Sequence, residues 1–184
     1  GNVGEFGIGH DIIVTSGNTL TEVVSLDNIR EILLRSNKKI GRIKIAVLGA
    51  TGSVGRVVTK LLILEGVKDI LLVGKTSERL RIFKENLHDQ HPSVAVSYTV
   101  NLEELCAADL IIAATSAPTS LIEPKYLKKG AIVYDISQPK NVSRKTISVR
   151  QDCFFYEGGL MKSPERISYN FNFRLPPHVI FACL

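Results

Sequence analysis

Tryptophan is absent, methionine occurs once, and aromatic residues make up only 7% of the 184 residues. With so few rings near its basic stretches, the chain lacks a stacking platform for single-stranded nucleic acid, and no nucleic-acid partner is expected. Cysteine occurs three times, at 106, 153 and 183, with no Cys-x-x-Cys and no histidine at metal-ligand spacing. An odd, scattered set argues against a disulfide framework or a metal site and fits a reducing, cytoplasmic setting. Cys106 and Cys153 sit in apolar patterns and read as core. No apolar run approaches the roughly 18 residues of a membrane span. Residues 1–5 carry neither the basic start nor the apolar core of a signal peptide. The chain has no initiator Met and stops on the apolar Phe181-Ala182-Cys183-Leu184. Both ends therefore read as cuts in a longer chain, with the domain truncated at its C-terminus.

Apolar residues make up 45% and charged residues 22%, an ordinary globular composition, and the length allows one domain with a small appendage. The net charge of +5 is unevenly placed: residues 35–44 hold five basic residues and no acid, and residues 125–150 hold seven against the single Asp135. Such a balance favours anionic partners without choosing among them.

Short apolar runs alternate with amphipathic stretches. Strands are expected over 44–48, 69–73, 95–100, 109–114, 131–135 and 153–156. Helical spacing appears over 26–34, 53–65 and 78–87, with short helices or turns over 102–107 and 124–127. Strands separated by helical crossovers imply a parallel sheet, and near-continuous apolar strands imply burial on both faces. The expected fold is α/β: a Rossmann-type doubly wound, mostly parallel sheet of about six strands with helices on both faces. Residues 41–184 form this nucleotide-binding domain, and residues 1–40 pack beside it as a helix or edge.

The main chemical signal is Gly49-Ala50-Thr51-Gly52-Ser53-Val54-Gly55, set between the first strand and its helix. Gly49 permits the tight turn, Gly52 removes a side chain where a pyrophosphate must approach, and Gly55 lets helix and strand pack closely. The helix N-terminus then points its free N–H groups at phosphate. An acid at the end of the second strand would bind the ribose 2′-OH of NAD. This chain has none there and offers Lys75, Thr76 and Arg79, with Thr76 or Ser77 also able to cap the next helix. NADP(H) is therefore preferred over NAD(H). Thr115, Ser116 and Ala117 after the fourth strand, Asp135 at the end of the fifth and Gly158 after the sixth complete the cofactor crevice, because ligands sit outside the carboxyl ends of such strands.

These residues carry a resemblance. The segments Val14-Thr15-Ser16-Gly17-Asn18-Thr19-Leu20-Thr21, the glycine turn, Gln138-Pro139-Lys140-Asn141, Glu157-Gly158-Gly159 and Leu175-Pro176-Pro177-His178-Val179-Ile180-Phe181-Ala182-Cys183 look like the long-chain acyl-[acyl-carrier-protein] reductases that form fatty aldehydes. The resemblance implies NADPH, an acyl thioester or acyl-carrier protein as substrate, and Cys183, in its Phe-Ala-Cys context, as the nucleophile that takes the acyl group. From the residues alone Cys183 reads as a buried structural cysteine, and only the resemblance makes it the nucleophile. A more distant likeness is to shikimate dehydrogenases, through Asn18-Thr19 and the Ala114-Thr115-Ser116 strand end. Those enzymes follow Asn-Thr with a catalytic Asp, where this chain has Leu20. A non-catalytic dinucleotide-binding module of a larger protein stays open, and a homo-oligomer is compatible with everything above. No Tyr-x-x-x-Lys pair occurs, which excludes the short-chain dehydrogenase pattern.

Overall fold

The computed structural model describes residues 18–162, 176 and 178–181. Six strands form one sheet: β1 Lys44–Leu48, β2 Asp69–Val73, β3 Ala95–Thr99, β4 Leu110–Ala113, β5 Ile132–Asp135 and β6 Phe154–Glu157. Their order is β3-β2-β1-β4-β5-β6, and every pairing is parallel. This is the order of a Rossmann sheet, with its reversal point between β1 and β4.

Side chains alternate across each strand, so each strand feeds two cores. Ile45, Val47, Ile70, Leu72, Leu110, Ile112, Ile132 and Tyr134 share one core, covered by helices α1 Asn18–Arg35, α2 Ser53–Leu64 and α3 Ser77–Gln90. Ala46, Leu48, Leu71, Val73, Ile111, Ala113 and Val133 build the other. That second face is covered by 3-10 turns at Leu102–Ala107 and Pro124–Tyr126 and by the short α4 Arg144–Val149, whose buried Thr146 donates to the Ile122 carbonyl at 3.1 Å. Past β6, β7 Leu160–Lys162 and β8 Val179–Phe181 form a separate antiparallel ribbon.

Helix α1 ends where Asn37 turns left-handed at φ +50 and the Lys38 amide reaches back to the Leu33 carbonyl at 3.0 Å. Its inner side buries Ile29, Ile32 and Leu33, and Asn28 donates to the Tyr134 hydroxyl at 3.0 Å. Burial pushes the Tyr134 phenol above its ordinary value. Arg30 ties α1 to α2 through Glu65 at 2.6 Å.

The two cysteines in the described region part company. Cys153 is buried, and burial pushes its thiol up. Cys106 is exposed, which corrects the expectation of a core position. A 3-10 turn has three residues per turn, so turning Leu105 inward leaves its neighbour outside.

Part of the basic excess is structural. At the amino ends of the strands, Asp109 accepts from the Lys128 ammonium at 2.8 Å and the Lys44 amide at 3.0 Å, with Lys38 at 3.9 Å. Partial burial pushes the Asp109 carboxyl up, but these donors more than reverse it, and it titrates below the usual carboxylate value. The stability it contributes is complete above the unfolded carboxylate value and is lost as pH falls through the folded one. Asp109→Asn is expected to lower stability by about 1 kcal/mol at neutral pH, a partly exposed site being screened. In urea melts the difference from the parent should shrink as pH falls below the ordinary carboxylate range.

Candidate nucleotide-binding cleft

A cleft of about 630 Å³ opens at the carboxyl ends of the strands, over the point where the strand order reverses. Its floor is the glycine turn. Gly49 takes φ +83, and its amide and that of Ala50 both donate to the Val73 carbonyl, at 2.8 and 3.2 Å. A Cβ on Gly49 would collide with the Ala114 carbonyl, and one on Gly55 would collide with the Gly49 carbonyl. Gly55 therefore lets α2 start directly against the turn. Gly52 is the N-cap of α2, and no side chain caps the helix. The first-turn N–H groups are thus open to an anion, the condition pyrophosphate binding requires. Arg56 braces the turn from outside: its Nε donates to the Thr51 carbonyl at 3.1 Å, and its guanidinium lies 4.9 Å from the centre of the Phe83 ring.

Most of the residues expected from the sequence meet here. Gly49, Thr51, Gly52, Ser53 and Val54 line the floor. Lys75, Thr76 and Arg79 line the side nearest β2, and Thr115 and Ser116 the side nearest β4. Lys75 and Arg79 are exposed and form no ion pair with any described residue. The neighbouring Arg81 is held by Glu78 and Glu85 at 2.7 and 2.6 Å. Thr76 is the N-cap of α3, but its hydroxyl makes no capping bond.

Five expected residues stand behind the wall. Ala50 and Gly55 are buried under the turn. Ala117 is buried, its amide donating to the Thr115 hydroxyl at 3.2 Å. Asp135 is buried, and its carboxylate accepts from the amides of Ser137 at 3.0 Å, Asn141 at 2.6 Å and Val142 at 3.1 Å. Gly158 packs on Tyr134, whose hydroxyl would lie 2.6 Å from a Cβ there. Cys183 lies outside the described residues.

The wall also contains Val100, Leu102 and Leu121, which no sequence motif marked. The available signal was positional: loops leaving parallel strands all emerge at the same end. Ile136, Ser137 and Gln138 form the far wall, where the Ser137 hydroxyl accepts from the Thr115 amide at 3.2 Å.

A dinucleotide fits this arrangement. The turn has no room for a side chain at Gly49 or Gly55, the helix end is uncapped, and the rim near β2 holds cations without acids. When bound, such a cofactor would supply or accept a hydride.

Comparison with known proteins agrees with this geometry. The family model for shikimate / quinate 5-dehydrogenase matches residues 31–157. The long-chain acyl-[acyl-carrier-protein] reductase of Synechococcus elongatus is 29% identical over 181 residues, covering 92% of this chain and 49% of that protein. The glutamyl-tRNA reductase of Methanococcus maripaludis is 30% identical over 121 residues, covering 65% of this chain and 30% of that protein. In fold, the chain is similar to shikimate 5-dehydrogenase from Listeria monocytogenes, solved with shikimate and NAD, at a TM-score of 0.56 and 16% identity, covering 72% of this chain and 51% of that one. The chain spans about half or less of the length of these curated relatives. It is a dinucleotide-binding domain of the dehydrogenase and reductase type.

Proposed function

The chain belongs to the shikimate / quinate 5-dehydrogenase family, and from that premise we propose that it is the NADP(H)-binding part of a reductase that turns a carrier-borne acyl thioester into an aldehyde. The observation that carries the NADP(H) reading is the exit of β2, where no acid stands and where Lys75 and Arg79 have no described ion-pair partner. Gly49 to Gly55 hold the pyrophosphate, and Lys75, Thr76 and Arg79 hold the 2′-phosphate. In this reading residues 41–184 are the nucleotide-binding domain, and helix α1 packs beside it.

The acyl thioester reading is supported by the likeness to an acyl-[acyl-carrier-protein] reductase over 92% of the chain. In this reading Cys183 attacks the thioester carbonyl as a thiolate. The carrier's sulfur departs as the leaving thiol, and the acyl group is held as an enzyme thioester. Bound NADPH would supply the hydride with which the acyl group leaves as aldehyde, and the Cys183 thiolate would be returned. Phe181 pairs with Leu160, directly after the Gly158-Gly159 turn at the carboxyl end of β6.

Incubating the full-length protein with an acyl-acyl-carrier protein, without reductant, should leave an acyl adduct on Cys183 detectable by mass spectrometry. Cys183→Ser should abolish both adduct and aldehyde, with kcat falling by roughly 10³-fold or more. NADPH binding without any adduct would defeat the thioester chemistry and leave a binding module.

Family membership favours a second reading, oxidation of a shikimate- or quinate-like alcohol. Reduced nicotinamide formed from NADP+ and shikimate, at rates above those with acyl thioester, would select it.

A further inference from the structure

The far wall of the cleft, Ile136 to Gln138, is held from two sides. From within, the Asp135 carboxylate gathers the three amides of Ser137, Asn141 and Val142. From the other side comes Lys140. Its ammonium donates to the Asp135 carbonyl at 3.2 Å and to the Gly158 carbonyl at 3.0 Å. The Asp135 carbonyl also accepts the Gly158 amide at 2.8 Å. Lys140 is half-buried and forms no ion pair with any described residue. Fixing a long lysine side chain costs rotamer entropy, and here it is fixed on two main-chain carbonyls from different strand ends. It thus spans from the loop that walls the cleft to the turn at which β6 becomes the ribbon. Gly158 cannot move inward in compensation, because Tyr134 and Ile136 fill the space beneath it.

The acid-free rim at β2 marks the adenosine ribose side of the cleft, so the wall over β5 faces the opposite half of a dinucleotide. We propose that Lys140 is a positioning residue for the nicotinamide half of the cofactor. It holds Ser137, Gln138 and Gly158 at the spacing that half requires, without touching the cofactor itself. The inference rests on the dinucleotide reading above and is independent of the acyl chemistry.

The test compares two ligands by titration calorimetry on the full chain: NADPH, and adenosine 2′,5′-bisphosphate, which fills only the adenosine side. Lys140→Met should weaken NADPH about tenfold, the loss expected for a charge-assisted bond, and leave the bisphosphate unchanged. Lys140→Arg, which keeps the charge and the donors, should recover most of the NADPH affinity. Gly158→Ala, which displaces the other end of the strut, should reproduce the split. Equal NADPH affinity in Lys140→Met and the parent would overturn the proposal. So would a parallel loss of both ligands, which would mean that Lys140 only supports the fold. A parent that binds neither ligand would defeat the dinucleotide reading and this inference together, whereas a parent that binds both isolates the inference.

Discussion

Gly49→Ala should unfold the domain at far lower denaturant than the parent and abolish dinucleotide binding. Two costs add at this position. The backbone stands at φ +83, where a side chain costs roughly 1–2 kcal/mol. The new Cβ would also strike the Ala114 main chain, its carbonyl carbon at 2.8 Å, and overpacking of that kind costs roughly 1–3 kcal/mol. Backbone cannot swing aside as a flexible side chain would, so a total near 3–5 kcal/mol is expected. Gly66 provides the control. It has φ +95, but nothing lies within 4 Å of a Cβ built there. Gly66→Ala should therefore show the conformational cost alone, about 1 kcal/mol. Gly52 separates stability from function. Its φ is −73, and the nearest atom to a Cβ is the Gly49 carbonyl oxygen at 3.2 Å. Gly52→Ala should stay within about 1 kcal/mol of the parent in urea melts. It should still weaken dinucleotide binding at least about tenfold, because the methyl intrudes where phosphate must meet backbone. A Gly52→Ala variant that binds like the parent would remove the turn from the binding site.

The second large effect is on cofactor choice. In the Lys75→Ala/Arg79→Ala double variant, NADPH affinity should fall about 100-fold while NADH affinity changes little. Each cation contributes about 1.5–3 kcal/mol to a phosphate through charge-assisted bonds, reduced here because both side chains are exposed. Exposure also predicts that the preference shrinks in molar salt, where the screening length falls to about 3 Å. Arg81 is the internal control: its guanidinium is held by Glu78 and Glu85, and Arg81→Ala should leave the NADPH/NADH ratio unchanged. Thr76→Ala separates capping from phosphate contact. The hydroxyl makes no capping bond, so helix α3 should lose little while NADPH weakens. Equal losses for NADH and NADPH in the double variant would sink the 2′-phosphate assignment.

Strands β1 and β2 could be read from sequence to the residue, whereas β4 is shorter by one residue at each end than expected and β5 by one at its start. β1 and β2 are apolar runs buried on both faces and begun by a charged residue, Lys44 and Asp69, whose side chains pair at 3.3 Å. Helix α4 was not legible, because Arg144-Lys145-Thr146-Ile147-Ser148-Val149 carries no apolar stripe. Only Ser143 announces it, its hydroxyl accepting from the Thr146 amide at 3.0 Å. The ribbon of β7 and β8 escaped because three-residue strands have no period to detect. In the cleft, the glycine turn and the β2 rim are local in sequence and were visible. The apolar wall of Val100, Leu102 and Leu121 exists only once β3 and β4 lie on either side of β2 and β1. Asp135 shows the opposite limit: its position at a strand end was legible, but which way its carboxylate turns depends on three amides of the following loop.

The position of β1 at the heart of the sheet has a consequence for synthesis. One of its neighbours, β2, follows after a single helix, but the other, β4, lies about 60 residues downstream. At ribosomal speeds of about 5–20 residues per second, the second edge of β1 stays bare for roughly 3–12 s while the nascent chain lengthens. During that interval the half-built sheet presents unsatisfied main-chain donors and acceptors beside Ile45 to Leu48, which is a template for wrongful pairing with another nascent chain. Slowing translation between β3 and β4 should therefore raise the aggregated fraction, and a chaperone that shields open strand edges should lower it.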